Sequence, residues 1–430
     1  MSISVRHIAT TLLACSALLS SQSFANPNSN LWFTHTDIQL PKSTTVKTLS
    51  NGVRYIILPT SRTATETSIR VRIGSGVAQE LQDMPTARIA ALDSVSETQW
   101  HATTGFQQTI FSLDLDSADS GVIESQLVTL LSGMKQTHSI DEDSFQSSVN
   151  SALTDIQQVL NQQHLESLSM NHSIAPFDLT SMQATPIEAV GSFKNTHYAP
   201  DNMTIIVAGG VDTRALTKAI TRNFSNLQHK TSIISEFTPA LEMAYHIESP
   251  DSVAVSALTE FQDESDSKLQ RKEVLKKTLA NKMLEQRIQA AMNEQNLAGK
   301  VFVDSQMLFD HKLLSQVRIE ELSETEKTLA HDIVDTEIKR ALASGFKQAE
   351  YEMVVSQLRK QLEQQTRSGN RVNYTKDQAD RLVSAVNNGM VYTAPSYDLD
   401  LLNFHVAHLN EFDISKDFEQ VWSTANSVTL

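Results

Sequence analysis

Between Thr67 and Gly74 the residues Ile69, Val71 and Ile73 alternate with Arg70 and Arg72, the two-residue period of a strand buried on one face. Gly74 and Gly76 end the alternation, and Pro85 stands where a first helical turn tolerates a missing N–H. From Thr86 to Glu97, Ile89, Leu92 and Val95 return at helical spacing, which predicts a core-facing helix. Before this unit, Asn51-Gly52 signals a turn into a strand through Val53, Tyr55 and Ile57. After it come a strand over Phe106–Leu115, a helix over Ser120–Lys135 and a long helical run over Asp141–Ser169 with Phe145, Val149, Leu153, Ile156 and Leu160 on one stripe. Pro186 opens a helix that ends near Tyr198-Ala199-Pro200, Met203–Ala208 is a short apolar strand, and Asp212-Thr213 caps a helix to Phe224.

Residues Gln228–Pro239 form a linker, and beyond it the order repeats. Strands at Met243–Glu248 and Val253–Leu258 precede a charged helix over Ser267–Asn293. Strands at Val301–Leu308 and Leu313–Ile319 follow, then helices at Ser323–Ser344, Lys347–Thr366 and Tyr374–Asn388. This is an α+β layout of two similar domains, residues 26–230 and 240–430, each a mixed or antiparallel sheet covered on one face by helices.

A chain of 430 residues is longer than one core usually serves, in keeping with that division. With 40% hydrophobic and 20% charged residues it is globular rather than disordered. A formal net charge of −15 excludes nucleic acid as a partner, since no basic excess exists to replace phosphate counterions. Residues 1–25 read as a signal peptide: Arg6 and His7 precede an apolar run from Ile8 to Leu19, too short to span a bilayer, and Ser23-Phe24-Ala25 suits cleavage. A rival reading makes Leu12-Leu13-Ala14-Cys15 a lipoprotein box acylated at Cys15, although Leu13 is bulky for its place. Under the preferred reading the single cysteine leaves with the signal, and a cysteine-free exported chain suits a bacterial periplasm.

Several segments, in order, resemble the pitrilysin/insulinase family of inverted-motif zinc metallopeptidases. They are Leu49-Ser50-Asn51-Gly52-Val53-Arg54, Gly74-Ser75-Gly76 with Glu80, Tyr198-Ala199-Pro200-Asp201-Asn202-Met203 through Gly209-Gly210-Val211-Asp212, and Gly345-Phe346 with Ala349-Glu350. The resemblance implies two homologous domains forming half of a clamshell around a peptide chamber. It also implies zinc held by H-x-x-E-H on the first domain's helix and by a glutamate on the long helix downstream. Two imidazoles and a carboxylate leave one metal position for water, and the motif's glutamate takes that water's proton. Aligned on Pro85, this chain places Ile89 and Asp93 where the histidines belong and Leu92 where the base belongs. In Val149-Asn150-Ser151-Ala152-Leu153, Ala152 takes the place of the third ligand. The expectation is therefore a pseudoenzyme without zinc or catalytic residues. It would bind or enclose peptides or unfolded polypeptide beside a homologous active peptidase subunit.

Two other readings compete with it: an active metallopeptidase with a rearranged metal site, and a stand-alone peptide-binding or chaperone-like module of the periplasm. For the first, Asp93, Glu97 and His101 at i, i+4 and i+8 would share one face of a long enough helix, a pattern that a solvated face also produces. His405 and His408 lack a nearby acid, and His164 and His172 lack ligand spacing. No G-x-S-x-G or phosphate-loop lysine occurs.

Overall fold

The fold is given by a computed structural model that describes residues 31–423 except 34–35, 61–64, 81–83, 97, 106, 137–167, 171–178, 229–240, 244–245, 250–251, 262–264, 308–311 and 368–373. In chain order its strands are β1 (Thr45–Thr48), β2 (Arg54–Pro59), β3 (Thr67–Ile73), β4 (His101–Thr104), β5 (Thr109–Leu115), β6 (Leu168–Met170), β7 (Met203–Gly209), β8 (Leu241–Met243), β9 (His246–Ser249), β10 (Ser252–Glu260), β11 (Lys300–Met307) and β12 (Lys312–Glu320). Its helices are α1 (Thr86–Val95), α2 (Ser120–Lys135), α3 (Leu179–Ala184), α4 (Ile187–His197), α5 (Thr213–Phe224), α6 (Lys268–Glu294), α7 (Lys327–Ser344), α8 (Gln348–Arg367), α9 (Tyr374–Asn387), α10 (Pro395–Val406) and α11 (Glu411–Trp422).

The first sheet has the order β1-β2-β7-β3-β5-β4, mixed because β2 and β7 run parallel while the other neighbours are antiparallel. The second, β11-β12-β10-β9, is antiparallel throughout. Both sheets are covered by helices, and the architecture is α+β. Strands β6 and β8 pair separately, so the long helical run expected over Asp141–Ser169, otherwise outside the described residues, ends in a strand.

Cover on one face only was the expectation, and the first sheet departs from it. Every residue of β7 is buried, so its two faces both need apolar partners. Val71, Ile73, Ile205 and Val207 pack with Ala91 of α1, Ile123 and Leu127 of α2, and Leu216 and Ile220 of α5. The opposite face, with Ile56, Leu58, Ile206 and Ala208, packs against Ala379, Leu382, Val383 and Val386 of α9. Helix α9 thus comes from late in the chain to close the early sheet. Polar contacts fix its register: Arg70 Nε donates to Asp380 at 2.6 Å, and Ser68 meets Thr375 at 3.0 Å. The lead-in binds the late residues too. Asp37 accepts the Lys268 N–H at 2.8 Å, and Trp32 Nε1 donates to the Met390 carbonyl at 2.7 Å. The second core gathers Val253, Val255, Val303 and Val317 with Leu279, Met283, Val334, Phe418 and Trp422.

Candidate functional site

After β3 the chain turns through Gly74-Ser75-Gly76, and that turn is pinned by three contacts to Ser75. Asn202 Nδ2 donates to Ser75 Oγ at 2.9 Å, Thr109 Oγ1 donates to the Ser75 carbonyl at 2.9 Å, and Ser75 Oγ lies 3.3 Å from His197 Nδ1. Ser75 is buried, and no carboxylate hydrogen-bonds the His197 ring among the described residues, so the pair works as a pin rather than a nucleophile and base.

Burial holds the His197 imidazole below its ordinary value of 6.5. The unfolded chain then takes up this proton at higher pH than the folded one. The stability His197 contributes is therefore complete above pH 6.5 and is lost as the pH falls through its folded value. The urea midpoint should drop between pH 7.5 and 5.5, and His197→Gln should make that drop shallower; an unchanged slope in the variant would contradict the assignment.

Glu80 carries the chain into α1. Its carboxylate accepts the Arg88 N–H at 3.2 Å, an orphan donor of the helix's first turn, and pairs with the Arg88 guanidinium at 3.0 and 2.7 Å. Desolvation raises the Glu80 carboxyl above its ordinary range, against the opposing pull of Arg88. With two donors on one oxygen and a third on the other, this acid orders the helix start.

Helix α1 is buried at nine of its ten positions, from Thr86 to Ser94. Ile89 and Leu92 lie with Ala87 and Ala90 in an apolar cluster completed by Met182 of α3 and Val190 and Phe193 of α4. Asp93 points to a cation already in the chain: Lys194 Nζ sits 2.5 Å from Asp93 Oδ2, with the two side chains 4% and 1% exposed. The same ammonium donates to the carbonyls of Gly133, at 3.0 Å, and Gln136, at 2.8 Å, beside the C-terminus of α2. Three acceptors thus use its three protons. Burial lowers the Lys194 ammonium from its ordinary value, while Asp93 opposes that shift. Gly133 lets α2 approach α1 closely, since a Cβ there would meet the Ser94 carbonyl oxygen at 2.2 Å.

Sequence reading missed Lys194. Its signal was there in α4, a lysine on the stripe of Val190, Phe193 and His197 where a core-facing position calls for an apolar side chain.

Two buried apolar side chains and a carboxylate bound to an ammonium do not fit a zinc ion, which needs neutral imidazoles and free carboxylate oxygens. Ala152 lies outside the described residues, as do His164 and His172. The rearranged site through Asp93, Glu97 and His101 is not assembled on one helix. Helix α1 ends at Val95, Glu97 lies outside the described residues, and His101 is exposed on β4. His405 is buried at the end of α10, and His408 follows that helix. Among the described residues no group of three or more His, Cys, Asp or Glu side chains could hold a metal.

Residues 186–358 match the family model described as the Peptidase M16 inactive domain. The chain is 24% identical over 246 residues to the probable zinc protease PqqL of Haemophilus influenzae, covering 50% of this chain and 25% of that protein. The first half of the periplasmic protease PqqL from Escherichia coli superposes with a TM-score of 0.75 at 15% identity, over 90% of this chain and 91% of that one. A predicted insulinase family protease from Yersinia pestis superposes with a TM-score of 0.72 at 18% identity, over 91% of each chain. This chain therefore spans a quarter of the curated relative it matches and corresponds in fold to half of a larger protease.

Proposed function

This chain belongs to the pitrilysin/insulinase (M16) peptidase family, and from that premise we propose that it is an exported, non-catalytic homologue that helps enclose peptide beside a zinc-bearing homologous subunit. The observation that carries this reading is the Lys194–Asp93 pair, which supplies from within the chain a positive charge at the helix where the family places its metal. A pair buried this deeply, with its ammonium hydrogen-bonded at every proton, serves packing rather than water activation. Peptide would be held by strand addition at a sheet edge, which needs only backbone N–H and C=O groups. The sheets end at β1 and β4 and at β11 and β9, so edges exist for that mode. Correspondence to half of a longer protease supports a second, homologous half supplied by another chain.

The periplasmic neighbours support a periplasmic location, and no helix of the described residues is long and apolar enough to cross a membrane. Purification of the tagged chain from its native host should bring down a homologous H-x-x-E-H subunit in equal amount. A strictly monomeric protein would refute the partnership.

A further inference from the structure

On the α9 side of the first sheet, Arg54 of β2, Thr204 of β7 and Arg72 of β3 stand side by side in one row. One strand separates the two arginines, a span of about 10 Å between backbones that two long side chains facing the same way can close. The company they keep sets them apart from Arg70, two residues earlier on the same face, which holds Asp114 at 2.9 Å and Asp380 at 2.6 Å. Arg72 bonds only neutral amide oxygens: Nε donates to Gln108 Oε1 at 2.8 Å and Nη2 to Asn387 Oδ1 at 2.9 Å. Arg54 Nε is buried with no hydrogen-bond partner. Neither guanidinium forms an ion pair with a described residue, in a chain carrying 50 acidic side chains. Burial and the Arg54 charge together push Arg72 down to about 10, so the two cations act on each other.

Both side chains are half-buried, with Arg54 Nε itself out of contact with solvent, and a like-charged pair left open in such surroundings carries a standing cost. The amides of Gln108 and Asn387 orient Arg72 without neutralising it. Asn387 is exposed at the last turn of α9, which opens this end of the row to solvent. Gly74 leaves this corner clear, where a Cβ would meet Asn202 Oδ1 at 2.4 Å and Arg72 Nη1 at 3.1 Å.

We propose that Arg54 and Arg72 form a binding site for a small oxyanion, a phosphate or a carboxylate, at the sheet end beside the C-terminus of α9. The guanidinium fork matches both anions in geometry. The site lies on the sheet face opposite α1, and its assignment does not depend on the reading of that helix.

The test is thermal melting of the full chain with inorganic phosphate, sodium chloride holding ionic strength constant. Parallel samples contain an N-acetylated dipeptide with a free carboxylate, and its C-terminal amide. A saturable rise in melting temperature with phosphate is expected, with affinity weakened by about tenfold or more in Arg54→Gln and in Arg72→Gln. Arg54→Gln without anion should melt no lower than the parent chain, because one of two repelling cations is gone. Arg54→Lys keeps the charge and should keep part of the response. A rise with phosphate alone assigns the site to phosphate, and a rise with the free dipeptide but not its amide assigns it to peptide carboxylates. No rise beyond chloride with either anion, or a rise undiminished in both glutamine variants, would overturn the proposal.

Discussion

Replacing Lys194 by methionine should lower the unfolding free energy by about 3–5 kcal/mol, because it leaves the Asp93 carboxylate buried without its counter-charge. The carbonyls of Gly133 and Gln136 lose a donor in the same step, which adds to the penalty. Lys194→Met combined with Asp93→Leu should recover much of the loss, since an apolar pair of similar volume can replace a buried ion pair. Urea denaturation of the parent chain and the two variants measures both effects. Equal loss in the single and double variants would mean that Asp93 is not the partner that matters.

Rebuilding the family motif should fail, by a comparable margin. Leu92→Glu places an ionisable side chain in the cluster of Ala87, Ile89, Val190 and Phe193, at a cost on the order of 4 kcal/mol. Adding Ile89→His and Asp93→His removes the carboxylate and leaves the Lys194 ammonium beside the intended metal position, so charge repulsion opposes zinc. The triple variant should be less stable than the parent and should not bind zinc stoichiometrically in equilibrium dialysis. A stable triple variant that takes up one zinc per chain would show that the scaffold still presents a metal site.

Much of the local architecture was legible because local chemistry decides it. Asp212 caps α5 by accepting from the N–H groups of Arg214 and Ala215, and the helix runs to Phe224 as the apolar spacing requires. Helix α2 likewise occupies Ser120–Lys135, with Asp119 as its cap. Where the pattern was weaker, elements were missed. Strand β4 is only four residues long, and neither α10 nor α11 was anticipated, although Asn410 and Asp413 make a capping box that marks the start of α11.

What stayed hidden depends on pairings between distant segments. Periodicity gives α9 an apolar stripe without saying that Ala379 and Val383 will cover Ile206 and Ala208, strands laid down far earlier in the chain. The same holds at the site. The motif comparison identified Ile89, Leu92 and Asp93 as positions that depart from the zinc pattern, but a lone aspartate reads equally as a residual ligand or as half of an ion pair. Only the fold brings Lys194 across 101 positions of sequence to decide between them. At the positions where that comparison expects zinc ligands and the base, the structure holds hydrophobic packing and an internal ion pair.

We propose that this chain serves peptide binding beside a metal-bearing homologue instead of hydrolysing peptide itself. The most direct test is zinc content together with peptide cleavage by the purified chain, alone and mixed with the homologous subunit recovered from the same host. Substoichiometric zinc and no cleavage are expected for the chain alone, with chelator-sensitive cleavage appearing in the mixture. Stoichiometric zinc and chelator-sensitive cleavage by the isolated chain would contradict it.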